Sequence, residues 1–379
     1  MSVSNTDSLV INWLRFPMAV LIVFMHTPFL FTVCEGVELG LLEESAVTIH
    51  AVIAQIIAQI AVPLFFLISG YLFFQNLEDW ENHTYLHKLK KRTKSLVIPY
   101  LVWNLLFFII PFVVVPIIRG DGFDMQSLQC RGYWRIFWDN NLYGATEINR
   151  ANIFGMNMPK GGCPIDGPLW FIRDLILLNI LAPIIYWFTR YTKLIFIFIL
   201  GGLMILDVWI PIRFLSVTGV FCYSLGCWIA INRKSISDMG LSEFLSHSIC
   251  VMSIILFFVS VVLLKINVSP AILGIAIRCF VVTSLVLVLR LTLKGVTNHL
   301  LKSYSLLAGS SFFVFALHNG YVMAICNTIT SRFLSTNNAM TSLLGYMICA
   351  LIVSCICVLI YWFIRKYIPS LLIVLSGGR

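Results

Sequence analysis

Apolar residues in this chain come in blocks of about twenty, broken by short polar segments. Within the blocks apolar and polar positions do not alternate, so they read as helices and not as strands. A helix of that length crosses the hydrocarbon of a bilayer. There, every backbone N–H and C=O must be satisfied inside a helix or a closed barrel. The pattern predicts an all-α polytopic integral membrane protein with about ten transmembrane helices. They lie near 9–33, 47–74, 96–118, 168–188, 193–209, 214–231, 248–266, 271–291, 304–326 and 341–363. One membrane domain is expected over residues 1–379, with a long extracytoplasmic loop at 119–167. The first apolar block has no basic leader and no A-x-A site, so it is expected to remain as a span.

Composition agrees with a lipid-covered surface. Of 379 residues, 59% are hydrophobic and 11% charged, and the mean hydropathy is +0.92. A soluble domain carries about 25% charge. The net charge of +9 does not point to nucleic acid, because the basic residues gather in alternate short loops, where they set topology. Lys88, Lys90, Lys91, Arg92 and Lys94 fill the second loop, and Arg365 and Lys366 follow the last span. The first loop has no basic residue. Both termini are therefore expected in the cytoplasm. The third loop carries five basic residues yet falls outside, which long loops tolerate.

Of eleven cysteines, eight lie in apolar runs and read as small buried hydrophobes. Cys34, Cys130 and Cys163 fall in or beside the loops of one side, where a Cys130–Cys163 disulfide is allowed. No zinc spacing occurs, and no metal is expected.

Ionisable residues inside spans are costly and mark functional sites. Arg15 and His26 are eleven residues apart in the first block. At about 100° per residue they share one helix face, separated by about 16 Å along the axis. Orientation places Arg15 near the inner end and His26 in the outer half. His318, Trp170, Arg173 and Asp174 fall at a similar outer depth. Arg173 and Asp174 are neighbours that point about 100° apart, so no mutual pair is expected. Ser69 and Gly70 lie near the inner end of the second span, next to the basic loop. Two sites follow: an outer one with two histidines, an arginine and an aspartate, and an inner one with Arg15, Ser69, Gly70, Lys88, Lys91 and Arg92. Ser69-Gly70 reads equally well as a close helix contact.

The inner cations suit a phosphate-rich ligand, and a histidine deeper in the membrane suits general-base catalysis. A coenzyme A thioester has the matching shape, with phosphates at one end of a long arm and a reactive carbonyl at the other. Such a donor needs a passage from Arg15 to His26.

Five segments resemble those of the acyltransferase family 3 membrane proteins, in family order. They are Arg15-x10-His26, VPLFFLISGYLFF, YLHKLKKRTKSLVIPYLVWN, GPLWFIRDLIL and FALHNG. The resemblance implies about ten spans and transfer of an acyl group, acetyl being the common case, from cytoplasmic acyl-CoA (acetyl-CoA) to a hydroxyl of an extracytoplasmic or lipid-linked carbohydrate. It implies His26 as catalytic base and Arg15 as the residue that binds or orients the donor. Ser69, Gly70, Lys88, Lys91 and Arg92 would lie near the coenzyme, and Trp170, Arg173, Asp174 and His318 near the acceptor. The basic loop departs from the family in being mostly lysine, with Arg92 its one arginine. A bacterial inner membrane is the expected setting, and a homo-oligomer is compatible with the pattern. The competing reading is a transporter or flippase of a sugar or lipid-linked substrate, which also uses midplane ionisable groups. No matched pair of broken spans in two halves of the chain supports it.

Overall fold

The computed structural model describes residues 5–32, 39–75, 82–110, 114, 137–138, 150–153, 156–159, 162–210, 214–298, 305–334 and 337–378. Helices dominate. They are α1 (Asn5–His26), α2 (Leu41–Ala51), α3 (Ala61–Phe74), α4 (Asn82–Arg92), α5 (Ile98–Ile109), α6 (Trp170–Ile180), α7 (Ala182–Thr192), α8 (Leu194–Leu206), α9 (Val217–Ile231), α10 (Glu243–Lys265), α11 (Pro270–Thr297), α12 (Ser305–Leu317), α13 (Met323–Phe333), α14 (Ala339–Tyr367) and α15 (Pro369–Ser376). The third loop adds a departure from the all-α expectation. Strands Arg150–Ile153 and Met156–Pro159 pair antiparallel, with Arg150 opposite Pro159. Cys34 and Cys130, and most of the 119–167 loop, lie outside the described residues.

Among the described residues six helical stretches are long and apolar enough to cross a membrane, or seven if the bent pair α6–α7 is one span. The expected count of about ten is not met on that criterion, for identifiable reasons. α8 and α9 are shorter apolar helices, and α5 runs up to residues outside the described set. α6 and α7 meet at 66°. Pro183 lies at the start of α7; it has no N–H for a helical bond back to residue 179, and its ring crowds that carbonyl, so the helix breaks at Leu181.

Prolines explain two further irregular turns. Pro63 opens α3 just after a π turn (Val52–Ile57) and a 3-10 turn (Ala58–Ile60). Pro99 removes the donor for the Ser95 carbonyl, and the chain there widens to a π turn in which the Ile98 N–H reaches the Thr93 carbonyl. Elsewhere capping side chains start the helices. Ser216 accepts from Gly219 N–H, Ser242 from Leu245 N–H, and Asn338 from Met340 and Thr341 N–H.

The tightest crossing joins α3 to α9. A Cβ on Gly70 would overlap the Tyr223 carbonyl, and one on Gly226 would overlap the Leu67 carbonyl. Small residues on both helices let the backbones touch, as is common where lipid supplies no hydrophobic drive between helices. Asn179 on α6 accepts from the Tyr223 hydroxyl at 2.9 Å and locks α9 from the other side. At the periphery, Ser246, Ser253 and Ser260 are the buried residues of α10, so most of that helix faces lipid. Gly70→Val is expected to destabilise the protein by about 1–3 kcal/mol through overpacking. Gly202→Val on α8, where a Cβ meets nothing within 4 Å, is expected to be neutral. Thermal unfolding of both variants in detergent checks the contrast.

Candidate active site

The inner cluster assembles around a cavity of about 840 Å³. α1 contributes Asn12 and Arg15, α3 contributes Ser69, and the α4–α5 junction contributes Lys88, Lys91, Arg92 and Lys94. Among the described residues no acidic side chain lines it. Five cations without a carboxylate leave uncompensated positive charge, which an anion would neutralise. Arg15 Nη1 donates to Asn12 Oδ1 at 3.3 Å, one turn earlier on the same face. Lys88 Nζ donates to the Phe73 and Gln75 carbonyls at 2.7 and 2.9 Å. It caps the C-terminal end of α3, where free carbonyls collect. Burial, with Arg92 adding to it, pushes the Lys88 ammonium down to about 8.

Of the expected inner residues, the cavity brings together Arg15, Ser69, Lys88, Lys91 and Arg92. Gly70 faces the other way, into the α3–α9 contact. The far wall of the cavity is aromatic, with Phe65, Phe171, Phe312 and Phe315. Gly377 and Gly378, just past α15, complete the rim. Gly377 has φ +68°, and a Cβ there would press on Ser95.

The outer cluster divides in two. His26 and His318 meet, with His318 Nε2 3.2 Å from His26 Nδ1. His318 begins a break between α12 and α13. Asn319 is extended and Gly320 has φ +69°, a conformation open to glycine at little cost. Phe107 packs where a Gly320 Cβ would go. His318 itself is fully buried, and its Nδ1 lies 2.8 Å from the Phe315 carbonyl and 3.2 Å from that of Val314. Facing two acceptors, Nδ1 must carry the proton, which makes Nε2 of the neutral ring an acceptor. His26 Nδ1 lies 2.9 Å from the Ile22 carbonyl and faces that acceptor nitrogen too. It therefore also carries its proton, and the lone pair of neutral His26 sits on Nε2.

Arg173 and Asp174 form the second group, and they correct an expectation. The two are a mutual pair, with Arg173 Nη2 3.0 Å and Nε 3.2 Å from Asp174 Oδ1. Both are buried. The long guanidinium folds back along the helix because an isolated buried charge costs more than the bend. Arg173 Nη1 also donates to the Trp138 and Gly162 carbonyls at 2.7 and 2.6 Å, and Asp174 Oδ2 accepts from Ser216 N–H at 2.9 Å. The pair thus pins two segments of the third loop and the start of α9. No hydrogen bond or ion pair joins it to the histidines among the described residues. Trp170 packs on Phe66, with ring centroids 6.3 Å apart.

Some residues of the site were not among those expected from the sequence. Asn12 was legible as a polar residue one turn before Arg15. Phe171 and Phe315 looked like ordinary apolar positions. Asp166, before α6, is fully buried, and neither carboxylate oxygen has a partner among the described residues. Burial pushes its carboxyl well above the usual carboxylate range. Its backbone N–H donates to Asn104 Oδ1 at 3.2 Å. Its D-G-P context reads as a routine helix start, which hides it in the sequence.

The cavity that Arg15 lines does not itself extend to His26. Neither histidine lines the cavity, and Phe315 touches both: it lines the cavity, and its ring centroid lies 6.4 Å from that of His318.

Comparison with known proteins places this architecture. The family model described as an acyltransferase domain, Acyl_transf_3, matches residues 9–362. The succinoglycan biosynthesis protein ExoH of Rhizobium meliloti (strain 1021) is 26% identical over 178 residues, 46% of this chain and 41% of that protein. The match therefore spans about two fifths of the relative's length. No solved structure matches the chain. The family model takes in the five cations of the cavity and the histidine pair, and the chain belongs to acyltransferase family 3.

Proposed function

We propose that this protein moves an acyl group, acetyl in the first instance, from cytoplasmic acyl-CoA to a hydroxyl of an extracytoplasmic or lipid-linked carbohydrate. The observation that carries the reading is the double role of α1. One helix presents Arg15 to a cavity of five cations and His26 to a histidine pair in which its Nε2 carries the lone pair. The phosphates of the coenzyme would sit among Arg15, Lys88, Lys91, Arg92 and Lys94, with the pantetheine arm directed toward His26. The acceptor hydroxyl gives its proton to His26 Nε2 as its oxygen bonds the thioester carbonyl carbon. The carbon–sulfur bond then breaks, and its electron pair leaves on sulfur. The thiolate takes the proton from His26, releasing ester and free thiol. His318 acts as a positioning residue: its acceptor Nε2 fixes the tautomer of His26 and receives the Nδ1–H bond of the imidazolium.

Arg173 and Asp174 enter this scheme by holding the loop that would cover the acceptor. Trp170, Arg173 and Asp174 are proposed at the acceptor side on that ground. A carbohydrate acceptor is in keeping with the printed role of the relative in succinoglycan biosynthesis. The topology we propose counts α6–α7 as one span and adds α5, α8 and α9 to the six long stretches, making ten, with both termini in the cytoplasm of a bacterial inner membrane.

Purified protein in nanodiscs, given acetyl-CoA and candidate saccharides, should release free thiol in step with ester formation. Movement of a sugar lipid across vesicles with no thioester consumed would overturn the reading in favour of transport.

Donor affinity should depend on pH in a defined direction. Below about pH 8 Lys88 is charged and attracts phosphate; as pH rises through that value the charge is lost. Coenzyme A affinity is expected to fall between pH 7 and 9 in the native protein and to stay flatter in Lys88→Met. Calorimetric titration with coenzyme A checks this, and an identical pH dependence in the two proteins would contradict it.

A further inference from the structure

We propose that Phe315, backed by Phe171, is the partition between the donor cavity and the histidine pair, and that it restricts transfer to short acyl groups. The inference rests on the acyl-CoA reading above and names the donor class that this site accepts.

Phe315 is placed to do both jobs. It lines the cavity and is 5% exposed. Its ring stands edge-on to Phe171, with centroids 5.8 Å apart and planes at 82°. Phe171 is in turn packed edge-on to Phe66 at 4.6 Å and tilted on Phe65 at 6.0 Å. On its other side the Phe315 ring lies 6.4 Å from His318, and its carbonyl accepts the His318 Nδ1–H at 2.8 Å. One residue therefore ends the cavity and seats the ring that orients His26.

The chemistry makes this position selective. For transfer, the thioester carbon must come within about 3–3.5 Å of an acceptor oxygen that His26 can deprotonate. The sulfur and the arm trail back into the cavity. The acyl tail points away from sulfur, so every carbon beyond the carbonyl must pass Phe315 and Phe171 and then lodge beside them. A side chain in an interior packed at crystal-like density can turn within its rotamers, but it leaves little spare volume. A turned phenyl ring admits a methyl group far more readily than a longer chain. Discrimination against an extra methylene in a tight apolar slot is about 10-fold or more.

The test measures kcat/KM for acetyl-, propionyl- and butyryl-CoA with one fixed acceptor. In the native protein the values should fall about 10-fold or more per methylene. Phe315→Ala should raise the butyryl-to-acetyl ratio at least about 10-fold, and Phe315→Trp should lower it. Size-exclusion profiles identify variants that fail to fold; if Phe315→Ala is one of them, the milder Phe171→Leu carries the same expectation. An unchanged ratio in a folded variant overturns the proposal. So does native protein that uses butyryl-CoA as well as acetyl-CoA, or a Phe315→Ala protein that loses acetyl transfer with no gain on butyryl. These results differ from failure of the parent reading, in which the native protein consumes no thioester of any length.

Discussion

His26→Ala is expected to abolish acyl transfer, with a loss of about 10²–10⁴-fold in kcat, while the protein still inserts and elutes as the native form. The size of the effect follows from the geometry of the pair. His26 Nδ1 is engaged by the Ile22 carbonyl and by His318, which leaves Nε2 as the basic atom. Among the described residues the imidazole bonded to His26 is that of His318, which is poorly placed to take over, being fully buried with its own Nδ1 tied to backbone carbonyls. His318→Ala should cost less and should shift the pH profile of kcat, since it removes the group that fixes the tautomer and leaves the base in place. A merely structural histidine would lower the yield of folded protein without moving that profile. Near-normal turnover in folded His26→Ala would end the assignment.

Arg15→Ala is expected to raise the KM for the donor by about 10–100-fold, with little change in the KM for the acceptor. Hydrogen bonds to charged groups contribute about 1.5–3 kcal/mol, and every 1.4 kcal/mol is about tenfold in affinity. Arg15 donates to Asn12 with one Nη atom, so its remaining donors are available to a phosphate or to the thioester end of the arm. Lys91→Ala and Lys94→Ala should each cost less, because both side chains are exposed and compete with water and salt. Equal effects of Arg15→Ala on donor and acceptor would place the residue outside the donor site. The Arg15 result and the Phe315 series are independent readings of one cavity. The first asks what holds the charged end, the second what the other end admits.

The divided outer cluster changes how the motifs that resemble the family's are understood in physical terms. GPLWFIRDLIL reads as an acceptor-side string because it places a cation and an acid at membrane depth. In the folded protein the cation neutralises the acid and grips the Trp138 and Gly162 carbonyls. What the pair holds is the backbone at those two points and the start of α9. FALHNG is richer than it reads. Besides the histidine it carries the Asn319–Gly320 break, which turns His318 back toward α1. Helix breaks at membrane depth are tolerated where they are buried in protein or line a cavity, and this one is seated against Phe107.

The sequence by itself determined the class of protein, the helical character of its apolar blocks and the shared face of Arg15 and His26. Those depend on hydropathy and on the period of a single helix, both of which are local. It also determined that Lys88, Lys91 and Arg92 would lie next to the C-terminal end of α3, because a short loop leaves them no other place. What the tertiary structure decided is everything that needs two elements at once. It turned Gly70 into the α3–α9 contact and Ser69 into the cavity, although the two are neighbours. It folded Arg173 onto Asp174 against the 100° rule, because that rule describes where side chains leave a helix and says nothing of where a long one ends. It brought two apolar residues, Phe171 and Phe315, into the wall of the cavity. An apolar position carries no sign of whether its ring fills a core or closes a passage until the helices around it are packed.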